Sequence, residues 1–319
     1  MHFWKKEILT GISFLNFPDM ASLKIWISAF RLRTLPLALS STILGSFLAY
    51  ASESFKWSVL ILGMITTLFL QILSNLANDY GDAQKGTDNE KRIGPQRLTQ
   101  AGIVTRREIR RMIFLFVVLS FFSGSALIYF GLHGTGSYLI FLFFVLGIAA
   151  IAAAIKYTVG NRPYGYTGLG DLMVFLFFGL LGVVGTYYLH GNNIDWAILM
   201  PASSVGLFSA GVLNLNNLRD RENDRDNGKM TLVVKLGLFR AKIYHISLLS
   251  VGLTLSLIYT LTHFESIYQF LYFLTLPLLL SDAIKVMNNT VPIDLYPELK
   301  KLALTTLLYS LLFGLGLII

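Results

Sequence analysis

The chain has 319 residues, of which 54% are hydrophobic and 14% charged, against about 25% charged for an ordinary soluble domain. A soluble globule is excluded, and a single membrane-embedded domain over 1–319, with 1–24 as an N-terminal cytoplasmic segment, is expected. The net charge of +8 is read as basic loops at a membrane face rather than a nucleic-acid surface, and the lack of any cysteine removes disulfides, thiolate nucleophiles and cysteine-based metal sites.

Lys5 and Lys6 precede an apolar run broken by Asn16, Pro18 and Asp19, so no cleaved signal peptide is expected. Nine apolar runs follow, at about 30–51, 57–78, 112–132, 137–156, 171–190, 195–217, 243–262, 266–285 and 300–319. Each is near the roughly 20 residues that span a bilayer, where only a helix satisfies its own backbone. The fold class is therefore all-α, a polytopic membrane protein of nine transmembrane helices around a central cavity.

The links at 52–56, 133–136, 191–194 and 263–265 are short, whereas those at 79–111, 157–170, 218–242 and 286–299 are longer and carry most of the ionisable residues. Of 26 Lys and Arg, 25 lie on the side of the N-terminus and the long loops; Lys56 is the exception. The positive-inside rule puts that side in the cytoplasm and the C-terminus outside, in the cell (inner) membrane.

Nine of the 18 acids fall in two loops, those after helices 2 and 6. If helix 2 runs on past its apolar stretch, Asn75, Asp79 and Asp82 stand at i, i+4 and i+7 on one stripe. The second loop repeats the device with Asn216, Asp220 and Asp224, interleaved with Arg219, Arg221, Arg225 and Lys229. Four spans separate the two loops, a weak internal repeat that brings both to one face. Any single acid here reads as a solvated helix end, but the set does not, because acids and amides crowd the last turns of apolar helices.

Carboxylate and amide oxygens suit Mg²⁺, which keeps several waters and is completed by phosphate oxygens. Acids interleaved with Arg and Lys thus describe a diphosphate site. A diphosphate at a membrane edge implies an apolar remainder, and a polyprenyl diphosphate meets both requirements. Its allylic C–O bond ionises as metal ions neutralise the departing charge.

Asn78-Asp79-Tyr80-Gly81-Asp82 with Gly86, Asp88, Arg92, Gly94-Pro95, Arg97 and Thr99-Gln100 resembles the first aspartate-rich motif of the UbiA superfamily of intramembrane aromatic prenyltransferases. Asn216-Asn217-Leu218-Arg219-Asp220 with Asp224 and Gly228-Lys229 is similar to the second. Arg31–Pro36, Pro163–Tyr166, Gly168–Asp171 and Gly185–Tyr188 extend the resemblance over roughly 25–319, nearest the branch that prenylates 1,4-dihydroxy-2-naphthoate for menaquinone. That branch implies transfer of a polyprenyl group from its diphosphate to the naphthoate, with release of diphosphate and CO₂ to give demethylmenaquinone.

The resemblance implies Mg²⁺ on Asn75, Asp79, Asp82, Asn216, Asp220 and Asp224, with the four aspartates as the catalytic set. It also implies diphosphate contacts, assigned to Lys156, Arg33 and Arg97, with Arg219, Lys229, Asn75, Asn78 and Tyr157 beside them. Met230 departs from the basic residue anticipated at its position. Asp171 is the fifth residue of the expected catalytic set, although it reads equally as a helix N-cap and as a base or orienter for the acceptor's hydroxyl groups. Tyr80, Tyr157, Tyr187 and Tyr188 are candidates for stabilising the allylic cation. The five histidines show no ligand spacing, and glycines in helices 5 and 6 read as close-packing positions. Rival readings are another acceptor, such as 4-hydroxybenzoate or homogentisate, and a cation-coupled transporter, which would place its polar groups near the midplane.

Overall fold

The computed structural model describes residues 20–89, 93–94, 97–98 and 100–319, with side chains from Ile25 onward. Lys5, Lys6, Glu90, Arg92, Pro95 and Thr99 lie outside the described residues. Among the described residues all regular secondary structure is helical, with no strand, and nine helices are long and apolar enough to cross a membrane. They are α1 (Ile25–Ala51), α2 (Trp57–Lys85), α3 (Arg106–Leu132), α4 (Ser137–Lys156), α5 (Gly170–Gly191), α6 (Trp196–Asp226), α7 (Leu238–Thr262), α8 (Ile267–Asn288) and α9 (Pro292–Ile318).

Several helices extend beyond their apolar stretches. α2 continues to Lys85, where Gly86 takes a left-handed φ of 75° and caps it, the usual role of glycine at a helix end. α6 likewise runs through its charged turns to Asp226. Helical backbone needs intrahelical bonding rather than apolar side chains, so hydropathy marks where the bilayer ends and not where the helix ends. α3 begins six residues ahead of the apolar run, because Thr105 and Glu108 form a capping box that satisfies otherwise orphaned N–H groups.

α1 is broken. Arg31 adopts a left-handed conformation (φ 51°, ψ 60°) and a 3-10 turn, Leu32–Thr34, follows before the helix resumes at Leu35. The break exposes the Phe30 carbonyl, and the Asn75 amide donates to it at 2.9 Å. Asn75 also donates to the Thr34 hydroxyl at 3.0 Å and accepts from Gln71 at 3.3 Å. A polar turn is thereby held inside an apolar bundle, where unsatisfied backbone is costly.

α6 is the most buried span and α4 the least. The main core gathers α1, α5, α6, α7, α8 and α9 around Phe208, Tyr272, Tyr309 and Phe313. α5 contains a π-helical stretch, Phe175–Val184, and it lies close enough to α6 that a Cβ on Gly179 would fall 2.8 Å from the Gly206 Cα. Lys56, the one cation on the far side, donates to the carbonyls of Gly131 and Leu189 at 3.1 and 3.4 Å. It binds the C-terminal ends of α3 and α5, where the helix dipole favours a positive charge.

Candidate active site

A cavity of about 360 Å³ opens between α1 to α6. Its ionisable lining, Arg31, Asp82, Asp88, Arg97, Asp220, Asp224 and Lys229, gathers at one end, with Gln71, Asn75, Asn78, Asn216 and Asn223 alongside. The remainder is largely apolar, with Leu127, Phe143, Leu146, Phe177, Leu181 and Val212 among its residues, together with small hydroxyls and the Tyr157 and Tyr164 phenols. Polar groups at one edge and an apolar continuation do not match a transporter's midplane ion site.

The extension of α2 and α6 past their apolar runs carries both acid stripes to this end. The stripes meet through two contacts far apart in sequence. Lys229 Nζ lies 3.3 Å from Asp82 Oδ2 on α2 and 3.9 Å from Asp224 Oδ1 on α6. The Asn223 amide donates to the Thr87 carbonyl at 2.8 Å. Tyr166 completes the corner, donating to Asp82 Oδ1 at 2.7 Å, with its oxygen 2.6 Å from the Thr87 hydroxyl.

Desolvation opposes charge on Lys229, but Asp82 and Asp224 outweigh it and hold the ammonium above the usual lysine range. Burial and then Asp82 push the Tyr166 phenol up, so it stays protonated and able to donate. The loop between α4 and α5 is seated by Thr158, whose hydroxyl donates to the Ala77 carbonyl at 2.9 Å. Gly81 permits this approach, since a Cβ there would meet the Thr158 hydroxyl oxygen at 2.6 Å and its carbonyl oxygen at 2.7 Å.

The residues expected from the sequence divide into two groups. Asn75, Asn78, Asp82, Arg97, Tyr157, Asn216, Asp220, Asp224 and Lys229 line the cavity. Asp79 is outside the lining set and grips two cations that belong to it, Arg31 directly and Arg97 at 3.3 Å. Arg97 also reaches Asp88 at 3.8 Å. Arg219 stands behind the second cluster, donating to Asp220 at 2.9 Å and to Asn216 at 2.9 Å. Arg33 points to Tyr296 rather than into the cavity, and Lys156 is exposed at the end of α4 outside the lining.

Asp171 is buried in the first turn of α5. It is not the N-cap, a position held by Leu169. It faces the Tyr244 hydroxyl, and the Tyr157 ring, which does line the cavity, packs beside Gly170. Tyr80, Tyr187 and Tyr188 do not line the cavity. Met230 is half exposed, and its N–H donates to the Tyr166 carbonyl at 3.1 Å.

Arg31, Tyr166, Thr87 and Asn223 are not among the residues that spacing singles out. Asn223 follows Asn216 and Asp220 at helical intervals, so its face was readable. Arg31 was not, because the break in α1 changes which arginine faces inward.

Among the described residues no three His, Asp or Glu side chains converge as a closed metal site. The carboxylates turn instead to neighbouring cations. The donor set nevertheless fits a hard divalent ion. It consists of oxygens alone, and Asn78 Oδ1, in a lining residue, is buried without a hydrogen-bond partner, an expensive state for an amide oxygen unless a ligand completes it.

Residues 38–294 match the model of the UbiA prenyltransferase family. The chain is 47% identical over 299 residues to the 1,4-dihydroxy-2-naphthoate octaprenyltransferase of Haemophilus influenzae, covering 93% of this chain and 96% of the relative. It is 45% identical over 291 residues to the protein of the same name from Escherichia coli, covering 91% and 94%. Among solved structures, a UbiA homolog from Aeropyrum pernix aligns with a TM-score of 0.65 at 18% identity, over 90% of this chain and 98% of that one. A UbiA homolog from Archaeoglobus fulgidus bound to GPP and Mg²⁺ aligns at 0.55 and 17% identity, over 88% and 99%. These two share the fold.

Proposed function

This chain belongs to the UbiA prenyltransferase family, and we propose that it transfers a polyprenyl group from polyprenyl diphosphate to 1,4-dihydroxy-2-naphthoate. Diphosphate and CO₂ leave, and demethylmenaquinone forms at its quinol level. The observation that carries this reading is the meeting of two acid and amide clusters, from α2 and α6, at the polar end of an apolar cavity. The names of the relatives from Haemophilus influenzae and Escherichia coli support the acceptor.

The chain's own residues divide the work. Asp82, Asp220, Asp224, Asn78 and Asn216 supply oxygens for a divalent ion, in our reading Mg²⁺ as in the Archaeoglobus fulgidus homolog. When bound, such an ion neutralises the departing diphosphate as a Lewis acid. Arg31, Arg97 and Lys229, which are paired with carboxylates at this end of the cavity, are also the cations placed to meet phosphate oxygens, for which charge-assisted hydrogen bonds are strong. Asp79 holds Arg31 and Arg97 in place for that task.

The Tyr157 ring lines the cavity and presents a π face to the allylic cation. A ring carbon of the acceptor supplies the electron pair for the new C–C bond, and loss of the carboxylate as CO₂ restores the aromatic ring. No covalent nucleophile is needed. Asp171 is buried next to Gly170, on which the Tyr157 ring packs, and stands outside the cavity lining, so we read it as acting through its neighbours rather than as a base on the acceptor.

We read 1–319 as one transmembrane domain in the cell membrane, with 1–24, the acid-bearing loops and the active site cytoplasmic and the C-terminus outside. The test is incubation of the purified protein with Mg²⁺, a polyprenyl diphosphate and 1,4-dihydroxy-2-naphthoate, with product identified by mass. A prenylated, decarboxylated naphthalene that disappears with chelator supports the reading. Product with 4-hydroxybenzoate alone overturns the acceptor, and no product with any aromatic acceptor overturns the reaction.

A further inference from the structure

Tyr296 opens the helical part of α9 and is not part of the cavity lining, yet two guanidinium groups converge on it. Arg33 lies over its ring at 4.8 Å from the centroid and also donates to its hydroxyl. Arg219 approaches the same ring at 5.8 Å. Two like charges sharing one aromatic ring are tolerable because the ring's quadrupole attracts each of them.

Both arginines lead back to the acid clusters. Arg219 donates to Asp220 and Asn216. Arg33 lies in the 3-10 turn that follows the α1 break, two residues from Arg31, which grips Asp79. The Lys229 and Asn223 contacts join the clusters beside the cavity, and Tyr296 joins them from behind.

We propose that Tyr296 is a positioning residue for the diphosphate end of the site, holding Arg33 and Arg219 so that the α1 break and the α6 cluster keep a fixed spacing. This rests on the diphosphate-dependent reaction proposed above. Tyr296 touches no reacting atom in this scheme. Its loss weakens the hold on the metal-complexed diphosphate and leaves the acceptor's affinity alone.

The experiment measures binding of magnesium with inorganic diphosphate to the full-length protein in detergent, by calorimetry, alongside steady-state kinetics. The Tyr296→Leu variant binds about tenfold more weakly and Tyr296→Phe, which keeps the ring but not the hydroxyl, about threefold more weakly, in line with a cation–π and hydrogen-bond contribution. KM for the polyprenyl diphosphate rises in parallel, while KM for the naphthoate stays within about twofold. In a double-mutant cycle, adding Tyr296→Phe to Arg33→Gln weakens binding no further, because the hydroxyl acts through Arg33.

Unchanged diphosphate binding in Tyr296→Phe, or additive losses in the cycle, overturn the proposal; these two arms decide it even if Tyr296→Leu does not fold. Binding is read without turnover. A wild-type protein that binds magnesium diphosphate but makes no prenylated product therefore removes the proposed function and leaves Tyr296 to be judged on affinity alone.

Discussion

Lys229 and Asp82 stand 147 positions apart in the chain and face each other with Nζ 3.3 Å from Oδ2, both buried. The same ammonium is 3.9 Å from Asp224, so one lysine separates carboxylates from the two halves of the site. Replacing Lys229 with Ala leaves those carboxylates facing each other without a counter-charge. We expect kcat/KM to fall by about 10²-fold, the size of effect seen when one charge-stabilising donor is removed, with the loss read in steady-state assays of prenyl transfer.

The charge state of Lys229 gives a pH test. Desolvation acts to lower its pKa, but Asp82 and Asp224 raise it above the ordinary lysine value. A raised folded-state pKa means the stabilising contribution is complete below the unfolded value of about 10.4 and is lost only as pH rises through the folded value. The difference in melting temperature between wild type and Lys229→Ala is therefore constant from about pH 6 to about pH 9.5. A difference that closes below about pH 9 would show the lysine discharging early and contradict the pairing.

Arg31 and Arg33 are two residues apart but face different surroundings, since Arg31 lines the cavity and Arg33 reaches Tyr296. Arg31→Gln should lower kcat/KM by about 10²-fold, and Arg33→Gln by less than about tenfold. Equal losses would mean that the break in α1 does not set which arginine meets the substrate.

Asn75 tests structural against metal-holding roles. Its amide is spent on the Phe30 carbonyl and the Thr34 hydroxyl. Asn75→Leu leaves that part-buried carbonyl without this donor at a cost of about 1 kcal/mol, visible as a lower melting temperature. The Mg²⁺ concentration for half-maximal activity should stay within about twofold of wild type in any folded fraction. A large rise in that requirement with unchanged stability would assign Asn75 to the metal instead.

Gly206 and Gly179 set the α5–α6 approach. A Cβ on Gly206 would lie 3.0 Å from the Gly179 Cα and from the Phe175 carbonyl, both backbone atoms that do not yield as a flexible side chain does. Gly206→Ala should destabilise the protein by about 1–3 kcal/mol, measured by thermal unfolding in detergent. Stability equal to wild type would show that the two helices can separate without loss.

Much of this protein is legible without coordinates. Nine spans and an acid cluster after helices 2 and 6 follow from hydropathy and charge, because the bilayer penalises polar backbone and charged side chains in a way that depends on composition and length. Family motifs add the likeness to prenyltransferases, and the matched residues 38–294 agree. What composition does not carry is direction. Which arginine turns inward depends on a left-handed residue at Arg31, and that conformation survives because Asn75 and Asp79, on another helix, satisfy the groups it exposes.

Placement of Lys156 and Arg33 outside the cavity, and of Asp79 behind Arg31 and Arg97, belongs to the same class of fact. So do Tyr166 on Asp82 and Asn223 on Thr87. Hydropathy and helical spacing are local properties, and they determined the spans and the stripes. Pairings across 80 to 150 positions depend on how the helices pack, and only the tertiary structure decided them.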